Sequence, residues 1–207
     1  MHTMEGTVLL DDSQVNEAAT LLADVFQHDP MMQYLYAGVP NMRERSLPFY
    51  RAALRMGTLY GEVHTTSELD GVAIWIKPGN TDFSFGQMLR SGFFTAILRT
   101  GFRPFSRFMK SANTILPLEK QAISGPRWAL MFVAIRPELQ GRGIGRKLLE
   151  PILVRAAADG IPCYLESTNE RNLTFYQRLG YRTVVEADIP DGGPHVWVML
   201  RDPEQPL

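Results

Sequence analysis

Three glycines at alternate positions form the most informative pattern in the sequence. The stretch Gln140–Gly145 reads Gln-Gly-Arg-Gly-Ile-Gly and lies between an apolar run and a helical pattern. Glycine lets the backbone take positive φ and lets a ligand approach without a Cβ in the way. The amides of a tight loop and of a helix N-terminus carry partial positive charge, which suits an anion. The spacing therefore predicts a cradle for phosphate or pyrophosphate, with Arg142 and Arg146 adding cations at its rim.

Two common phosphate-binding patterns do not fit this stretch. The Gly-Lys-Ser/Thr of a Walker A loop is absent, so no lysine and hydroxyl are positioned for a nucleoside triphosphate and magnesium. The dinucleotide fingerprint needs a glycine where Arg146 stands. The remaining alternative is a strand-to-helix turn whose glycines are incidental.

Composition and charge exclude several classes of protein. The 207 residues carry 21 Lys+Arg against 22 Asp+Glu, so no cationic excess supports a general nucleic-acid binder. The single cysteine, Cys163, cannot form an internal disulfide or a zinc site, and no metal is expected. No stretch reaches the roughly 18–20 uninterrupted apolar residues of a membrane span, and Met1–Glu5 does not open a signal peptide. We expect a cytoplasmic protein without nucleic-acid or membrane partners.

The elements that must position the glycine stretch indicate one α/β domain over residues 1–207. The apolar run Trp128–Ile135 predicts a central strand buried on both faces. Strands and helices alternate after it, which predicts a largely parallel sheet in the second half. The other predicted elements are a strand at 6–10, a helix from the Asp11–Ser13 cap to near 28, a helix at 41–59, a hairpin at 61–76, short helices within 83–123, helices at 144–159 and 172–179, and strands at 162–166, 181–189 and 195–200.

Two motifs resemble one known family. Gln140–Gly145 matches the Gln/Arg-x-x-Gly-x-Gly signature of the GCN5-related N-acetyltransferases (GNAT). The run Cys163–Tyr181 is similar to the second half of that family, a strand followed by Asn-x-x-Phe-Tyr-x-x-x-Gly-Phe/Tyr. The resemblance covers about Trp128 to Arg201 and implies a mixed central β-sheet, splayed between its two central parallel strands and flanked by helices. It makes about 126–201 the cofactor-binding half and about 83–123 a helical insert that matches no motif.

The resemblance implies acetyl-CoA as co-substrate. Its pyrophosphate would lie on the loop amides, and its pantetheine arm would fill the gap beside the central strand. The asparagines of the downstream motif would bind this arm or cap a helix. The residues that the resemblance assigns to the co-substrate are Val133, Ala134, Ile135, Gln140, Gly141, Arg142, Gly143, Ile144, Gly145, Arg146, Asn169 and Asn172.

Catalytic roles follow from the same resemblance. Tyr176 occupies the family position of the general acid that protonates the leaving thiolate, and a phenol with a pKa of about 10 still holds its proton at neutral pH. The alternative for Tyr176 is core packing beside Phe175. Two carboxylates are candidate bases. Glu166, at a strand end, could instead anchor a substrate ammonium or be structural, and Asp29 could form an Asx-turn before Pro30.

The expected activity is direct transfer of an acetyl group from acetyl-CoA to the primary amine of a small molecule in a ternary complex. An aromatic-rich insert around 83–109 would roof the acceptor pocket. The alternatives are an acyl-CoA-binding regulatory or sensor module without turnover, and an N-acyltransferase that uses another acyl-CoA or a protein amine. The sequence leaves a monomer and a homodimer equally open.

Overall fold

One mixed sheet forms the centre of the protein. A computed structural model describes residues 6–205, so the expectation about Met1–Glu5 lies outside the described residues. The strands lie in the order β1-β2-β3-β4-β5-β7-β6. They are β1 (Val8–Leu9), β2 (Gly61–Thr65), β3 (Gly71–Ile76), β4 (Trp128–Ile135), β5 (Cys163–Ser167), β6 (Arg182–Asp188) and β7 (His195–Arg201).

Helices cover both faces of this sheet. They are α1 (Val15–Phe26), α2 (Pro30–Leu35), α3 (Met42–Tyr60), α4 (Phe85–Ser91), α5 (Phe93–Arg99), α6 (Phe102–Ala122), α7 (Ile144–Ala158) and α8 (Leu173–Arg178). One apolar core joins α1–α3, α5 and α6 to one face, and a second core joins α7 and α8 to the other. Among residues 6–205, no helix is both long and apolar enough to cross a membrane.

The prediction of a largely parallel second half is wrong. Within residues 6–205, only β4 and β5 pair in parallel, whereas β7 pairs antiparallel with both β5 and β6. The crossover through α8 does leave β6 running in the same direction as β5. However, β7 then returns through a turn at Asp191 and Gly192, both with positive φ, and enters between them. The alternation of elements predicted the crossover but not the insertion.

The predicted splay lies where β4 and β5 part. Their ladder runs only from Trp128, opposite Cys163, to Leu130, opposite Leu165, although β4 continues to Ile135. At the same point Met131 is an extra residue, because its neighbours on β4 pair with consecutive residues of β3. Such a bulge bends and twists a strand. The expectation of a strand buried on both faces therefore holds for Trp128–Leu130 but not for the rest of β4, where Ala134 alone is buried and the other residues are half-buried.

The helical insert differs from its prediction in one helix. Gly92, with φ of 78°, ends α4 and precedes α5, and both helices are short as expected. In contrast, α6 runs unbroken for 21 residues. Pro104 does not interrupt it because it lies in the first turn, where a missing N–H leaves no helical hydrogen bond unmade. The unpredicted α2 begins at Pro30, a favoured first residue of a helix.

Candidate active site

The three glycines of the loop between β4 and α7 have two different roles. Gly141 and Gly143 have φ of 78° and 82°, and a Cβ at either position would point into open space. They allow a left-handed backbone that other residues rarely adopt. A Cβ on Gly145 would lie 3.1 Å from the ring of Phe175, so this glycine lets α7 pack closely against α8. Gly141 and Gly143 therefore determine the backbone path of the loop, whereas Gly145 allows close packing of α7 on α8.

The loop presents an unbroken series of free amides. Within residues 6–205, the N–H groups from Gly141 to Arg146 have no protein acceptor, and the helical series begins with Lys147 N–H donating to Gly143 at 3.2 Å. The Gln140 side chain donates to the Ile135 carbonyl at 3.2 Å and so ties the loop to the end of β4. Arg142 and Arg146 are exposed and form no ion pair with the described part of the chain. This concentration of donors and cations suits a diphosphate.

The gap begins directly beside this loop. Val133, Ala134 and Ile135 pair with β3 along one edge of β4. Along the other edge, their main chain lies beyond the last residue pair that joins β4 to β5. An extended ligand with amide groups fits such an edge in the manner of an additional strand. The main-chain groups assigned to the pantetheine arm therefore face the gap that the arm requires.

Tyr176 has a buried ring and an accessible hydroxyl. The residue is 7% exposed, and its ring contacts those of Phe175 and Tyr181 at centroid distances of 5.2 and 6.0 Å. In the described chain its hydroxyl has no hydrogen-bond partner, and unlike the hydroxyl of Tyr181 it is not enclosed. Burial, and then the negative charge of Asp29, raise the pKa of Tyr176 well above that of an ordinary phenol. Packing and a free proton donor thus coexist in one residue.

Glu166 is the first residue of β5 after the ladder with β4 ends. Its side chain is accessible to solvent, yet its carboxyl accepts a hydrogen bond from the Tyr164 hydroxyl. Loss of hydration beside the surrounding protein, reinforced by the charge of Glu119, raises the pKa of Glu166 to about 7, while the Tyr164 hydrogen bond opposes the rise. A carboxylate that solvent can reach but that is poorly hydrated indicates that Glu166 lies on the wall of a cleft. Its pKa near neutrality suits a general base.

A buried network that no sequence motif predicts supports Glu166. The Arg127 guanidinium lies 5.8 Å from the centroid of the Tyr164 ring. Arg127 also forms a buried ion pair with Glu119, from the end of α6. The helical insert is therefore connected to the candidate base through two side chains. Glu119 and Arg127 are distant from every motif, so only the folded chain brings them to Tyr164.

Asp29 caps α2, which is the structural alternative that the sequence left open. Its Oδ1 accepts hydrogen bonds from Met31 N–H at 3.0 Å and from Met32 N–H at 3.3 Å. The Thr168 hydroxyl, just after β5, donates to the same oxygen at 3.4 Å. Burial raises the pKa of Asp29 against these hydrogen bonds. Since its charge also acts on Tyr176, the cap lies beside the candidate site.

The two asparagines of the downstream motif lie at a short 3-10 turn before α8. The Asn169 side chain accepts from Arg171 N–H at 3.2 Å and caps a short 3-10 turn, while Asn172 is exposed and precedes α8 without a side-chain cap. Cys163 is fully buried, and burial raises its pKa to about 12, which keeps it a thiol. In residues 6–205, no group of three or more His, Cys, Asp or Glu side chains is arranged to hold a metal ion.

An aromatic cluster adjoins the bulge of β4. The Phe132 ring meets those of Phe26 and Tyr50 at centroid distances of 5.3 and 5.7 Å, with the rings nearly perpendicular. The Tyr50 hydroxyl is enclosed without a partner among the described residues. The charge of Asp29 acts on Tyr50 as it does on Tyr176. The surroundings of Asp29 near the bulge of β4 are therefore largely apolar.

Comparison with known proteins agrees with this geometry. The acetyltransferase (GNAT) family model matches residues 102–181. An uncharacterized N-acetyltransferase of Schizosaccharomyces pombe is 27% identical over 196 residues, which cover 91% of this chain and 79% of the relative. These matches, together with the glycine loop and the splayed strands, support membership of the GNAT superfamily.

Two solved structures share the fold over nearly the whole chain. Arylalkylamine N-acetyltransferase 2 of Aedes aegypti aligns with a TM-score of 0.62 at 14% identity and covers 96% of this chain and 98% of its own. The Drosophila melanogaster polyamine N-acetyltransferase, which forms N-acetylagmatine, aligns with a TM-score of 0.60 at 14% identity, covering 95% and 98%. At these identities the likeness is one of fold.

Proposed function

We propose that the protein transfers the acetyl group of acetyl-CoA directly to the primary amine of a small molecule, in a ternary complex. The observation that carries this proposal is the juxtaposition of the free loop amides with the gap between β4 and β5. A pyrophosphate held at the loop and an extended arm lying along β4 require these two features side by side. The residues present therefore fit acetyl-CoA as co-substrate.

The donor half of the site binds through its main chain. The amides from Gly141 to Arg146 hold the diphosphate, with Arg142 and Arg146 supplying positive charge. The main chain of Val133–Ile135 orients the arm and polarises the acetyl carbonyl. Fixed dipoles of this kind stabilise the oxyanion that develops during amine attack. Holding both substrates in one gap supplies orientation.

Proton transfers are assigned to the two sides of the gap. The amine nitrogen forms a bond to the carbonyl carbon, the carbon–sulfur bond breaks, and the departing sulfur takes the proton of the Tyr176 hydroxyl. A free thiol has a pKa of about 8.5, so the phenol assists a leaving group that would otherwise depart as thiolate. Glu166 accepts the proton that the amine loses. Its pKa of about 7 leaves a substantial carboxylate fraction at neutral pH.

Acceptor binding is assigned to the Asp29 side. The half-buried rings of Phe26 and Phe132, which pack on the buried Tyr50, provide an apolar wall, and Asp29 and Glu166 provide negative charge. Such a surface suits a cationic amine with an apolar body. The two solved relatives are named for arylalkylamine acetylation and for N-acetylagmatine formation. Asp29 contributes mainly its charge, because its Oδ1 already caps α2.

Thiol release from acetyl-CoA tests the proposal when it is measured with a panel of amines. The panel contains phenethylamine, agmatine and a lysine-containing peptide, and calorimetry measures acetyl-CoA binding in parallel. We expect thiol release with at least one small amine and less with the peptide. Acetyl-CoA binding without thiol release for any acceptor would instead support a sensor, and release with the peptide alone would support a protein substrate. Propionyl- and succinyl-CoA in the same assay test the acyl group.

A further inference from the structure

The helical insert has a charge distribution unlike that of the whole chain. The chain has a formal net charge of -1. Between Phe83 and Leu118, however, the sequence contains no Asp or Glu, whereas it contains five cations. They are Arg90, Arg99, Arg103, Arg107 and Lys110. The insert is therefore a cationic segment in a nearly neutral protein.

Three of these cations are free and two are engaged. Arg107 donates to the Ala37 carbonyl at 2.8 Å, and Lys110 pairs with Asp191. Arg90, Arg99 and Arg103 are exposed and form no ion pair within residues 6–205. An unpaired, hydrated arginine keeps its full attraction for an external anion. The free charge lies on all three insert helices.

Each free arginine directly follows an exposed apolar residue. The pairs are Leu89–Arg90 on α4, Leu98–Arg99 on α5 and Phe102–Arg103 on α6. Phe102 is 83% exposed, and Phe85, one helical turn before Leu89, is 65% exposed. Exposed apolar side chains mark an interaction site when they form a contiguous patch.

Ring contacts join these residues into one surface. Phe94 meets Phe85 of α4 at 5.5 Å and Phe105 of α6 at 6.3 Å. Leu98 lies one turn after Phe94 on α5, and Phe102 lies one turn before Phe105 on α6, so each shares a helix face with a contacting ring. We define the insert surface as the residues Phe85, Leu89, Arg90, Phe94, Leu98, Arg99, Phe102 and Arg103.

Against the expectation of a protein without membrane partners, we propose that the insert surface docks on an anionic phospholipid bilayer. Phenylalanine and leucine side chains flanked by arginines are the combination that binds in the interface of such a membrane, because the apolar groups enter the acyl boundary and the cations meet anionic headgroups. Charge complementarity selects this occupant over a second copy of the chain, since two such surfaces would repel each other. This proposal does not depend on the acetyl-transfer reaction.

Co-sedimentation of the whole protein with lipid vesicles tests the proposal. One set of vesicles is pure phosphatidylcholine, and in the other set phosphatidylglycerol makes up about a third of the lipid. We expect binding to the anionic vesicles to be at least about tenfold tighter and to weaken as salt increases. Equal binding to both sets, or binding to neither, would overturn the proposal.

Matched charge reversals locate the binding surface. Arg99→Glu with Arg103→Glu should weaken binding to anionic vesicles at least about tenfold. Arg55→Glu with Arg178→Glu changes the net charge equally at exposed residues outside the insert, and should weaken binding less than about threefold. Equal losses in the two double variants would mean that the insert surface is not the docking site.

The apolar part of the surface has its own test. Phe102→Ser keeps every charge and removes the most exposed ring, and should weaken vesicle binding about tenfold. Thermal unfolding followed by circular dichroism verifies that the variants remain folded, and light scattering measures self-association. If Phe102→Ser dissociates an oligomer and leaves vesicle binding unchanged, the surface is an interface between copies and the proposal is wrong.

Discussion

The two sides of the gap between β4 and β5 are built from different kinds of chemical group. On the proposed donor side, the binding groups belong to the main chain of one stretch of sequence, at Val133–Ile135 and at Gly141–Arg146. On the proposed acceptor side, they are side chains from separate elements, such as Asp29, Phe132 and Glu166. The carboxylate of Glu166 is further supported through Tyr164 and Arg127.

Because of this difference, substitutions should affect the two sides of the gap unequally. Every residue type except proline supplies the same N–H group, so a loop that binds through amides tolerates many side chains provided its glycines allow the backbone path. A wall of side chains changes with each substitution. We infer that the donor side fixes the co-substrate and the acceptor side fixes the amine. Tyr176, as the proposed acid, would act on the reaction between them.

Replacement of Tyr176 is expected to have the largest effect. Tyr176→Phe keeps the packed ring but removes the proton donor, so kcat should fall about 10–1,000-fold, in the range of general acid catalysis. The KM for acetyl-CoA should change little, because the loop amides bind the donor. Steady-state thiol release measures both constants.

Tyr181→Phe is the matched control for this change. The two rings are in contact, but the Tyr181 hydroxyl is enclosed and cannot meet a substrate. The control should therefore leave kcat nearly unchanged. An unaltered kcat in Tyr176→Phe, or an equal loss in both variants, would remove Tyr176 from the chemistry and return it to core packing.

The second effect distinguishes the two candidate bases. With a pKa of about 7, Glu166 is deprotonated as pH rises, so kcat/KM for the amine should increase through pH 7. Glu166→Gln should lower kcat/KM about 10–100-fold above that pH and abolish this rise. Asp29→Asn keeps a good helix cap while removing the charge, and should cost less than about threefold.

The pH profile makes the comparison decisive. Burial holds the pKa of Tyr176 well above its ordinary value, so loss of the acid should not reduce activity between pH 7 and 9. The rise of kcat/KM that follows deprotonation of Glu166 can therefore be measured without interference from Tyr176. If Asp29→Asn abolishes the rise and Glu166→Gln keeps it, the roles of the two carboxylates are reversed.

The sequence predicted the glycine loop and the splay beside it far better than the side chains around Glu166 and Phe132, and the reason is physical. The glycine spacing of Gln140–Gly145 reports local backbone conformation, which neighbouring residues largely determine. The splay followed from the family resemblance. In contrast, the Glu119–Arg127 pair and the cluster around Phe132 depend on contacts between elements distant in the chain. Alternation of strands and helices likewise could not reveal that β7 enters between β5 and β6, because antiparallel insertion leaves no periodic trace.

The smallest expected effect tests whether acetyl-CoA binding depends on the backbone conformation of the loop between β4 and α7. Gly143→Ala adds a methyl group that meets no neighbour, but it forces alanine into a left-handed conformation that costs about 1–2 kcal/mol. If the loop relieves this strain by rotating its amides, the KM for acetyl-CoA should rise about 5–10-fold, with a smaller change in kcat.

Gly160→Ala separates this effect from simple loss of stability. Gly160 also has positive φ, at 66°, and open space at its Cβ, but it follows the far end of α7. Chemical denaturation should show similar losses of unfolding free energy in the two variants, while only Gly143→Ala raises the KM. A rise in both would mean that general destabilisation weakens binding. No rise in Gly143→Ala would mean that the loop amides tolerate the added methyl without changing direction, so conformation at this glycine would not control donor binding.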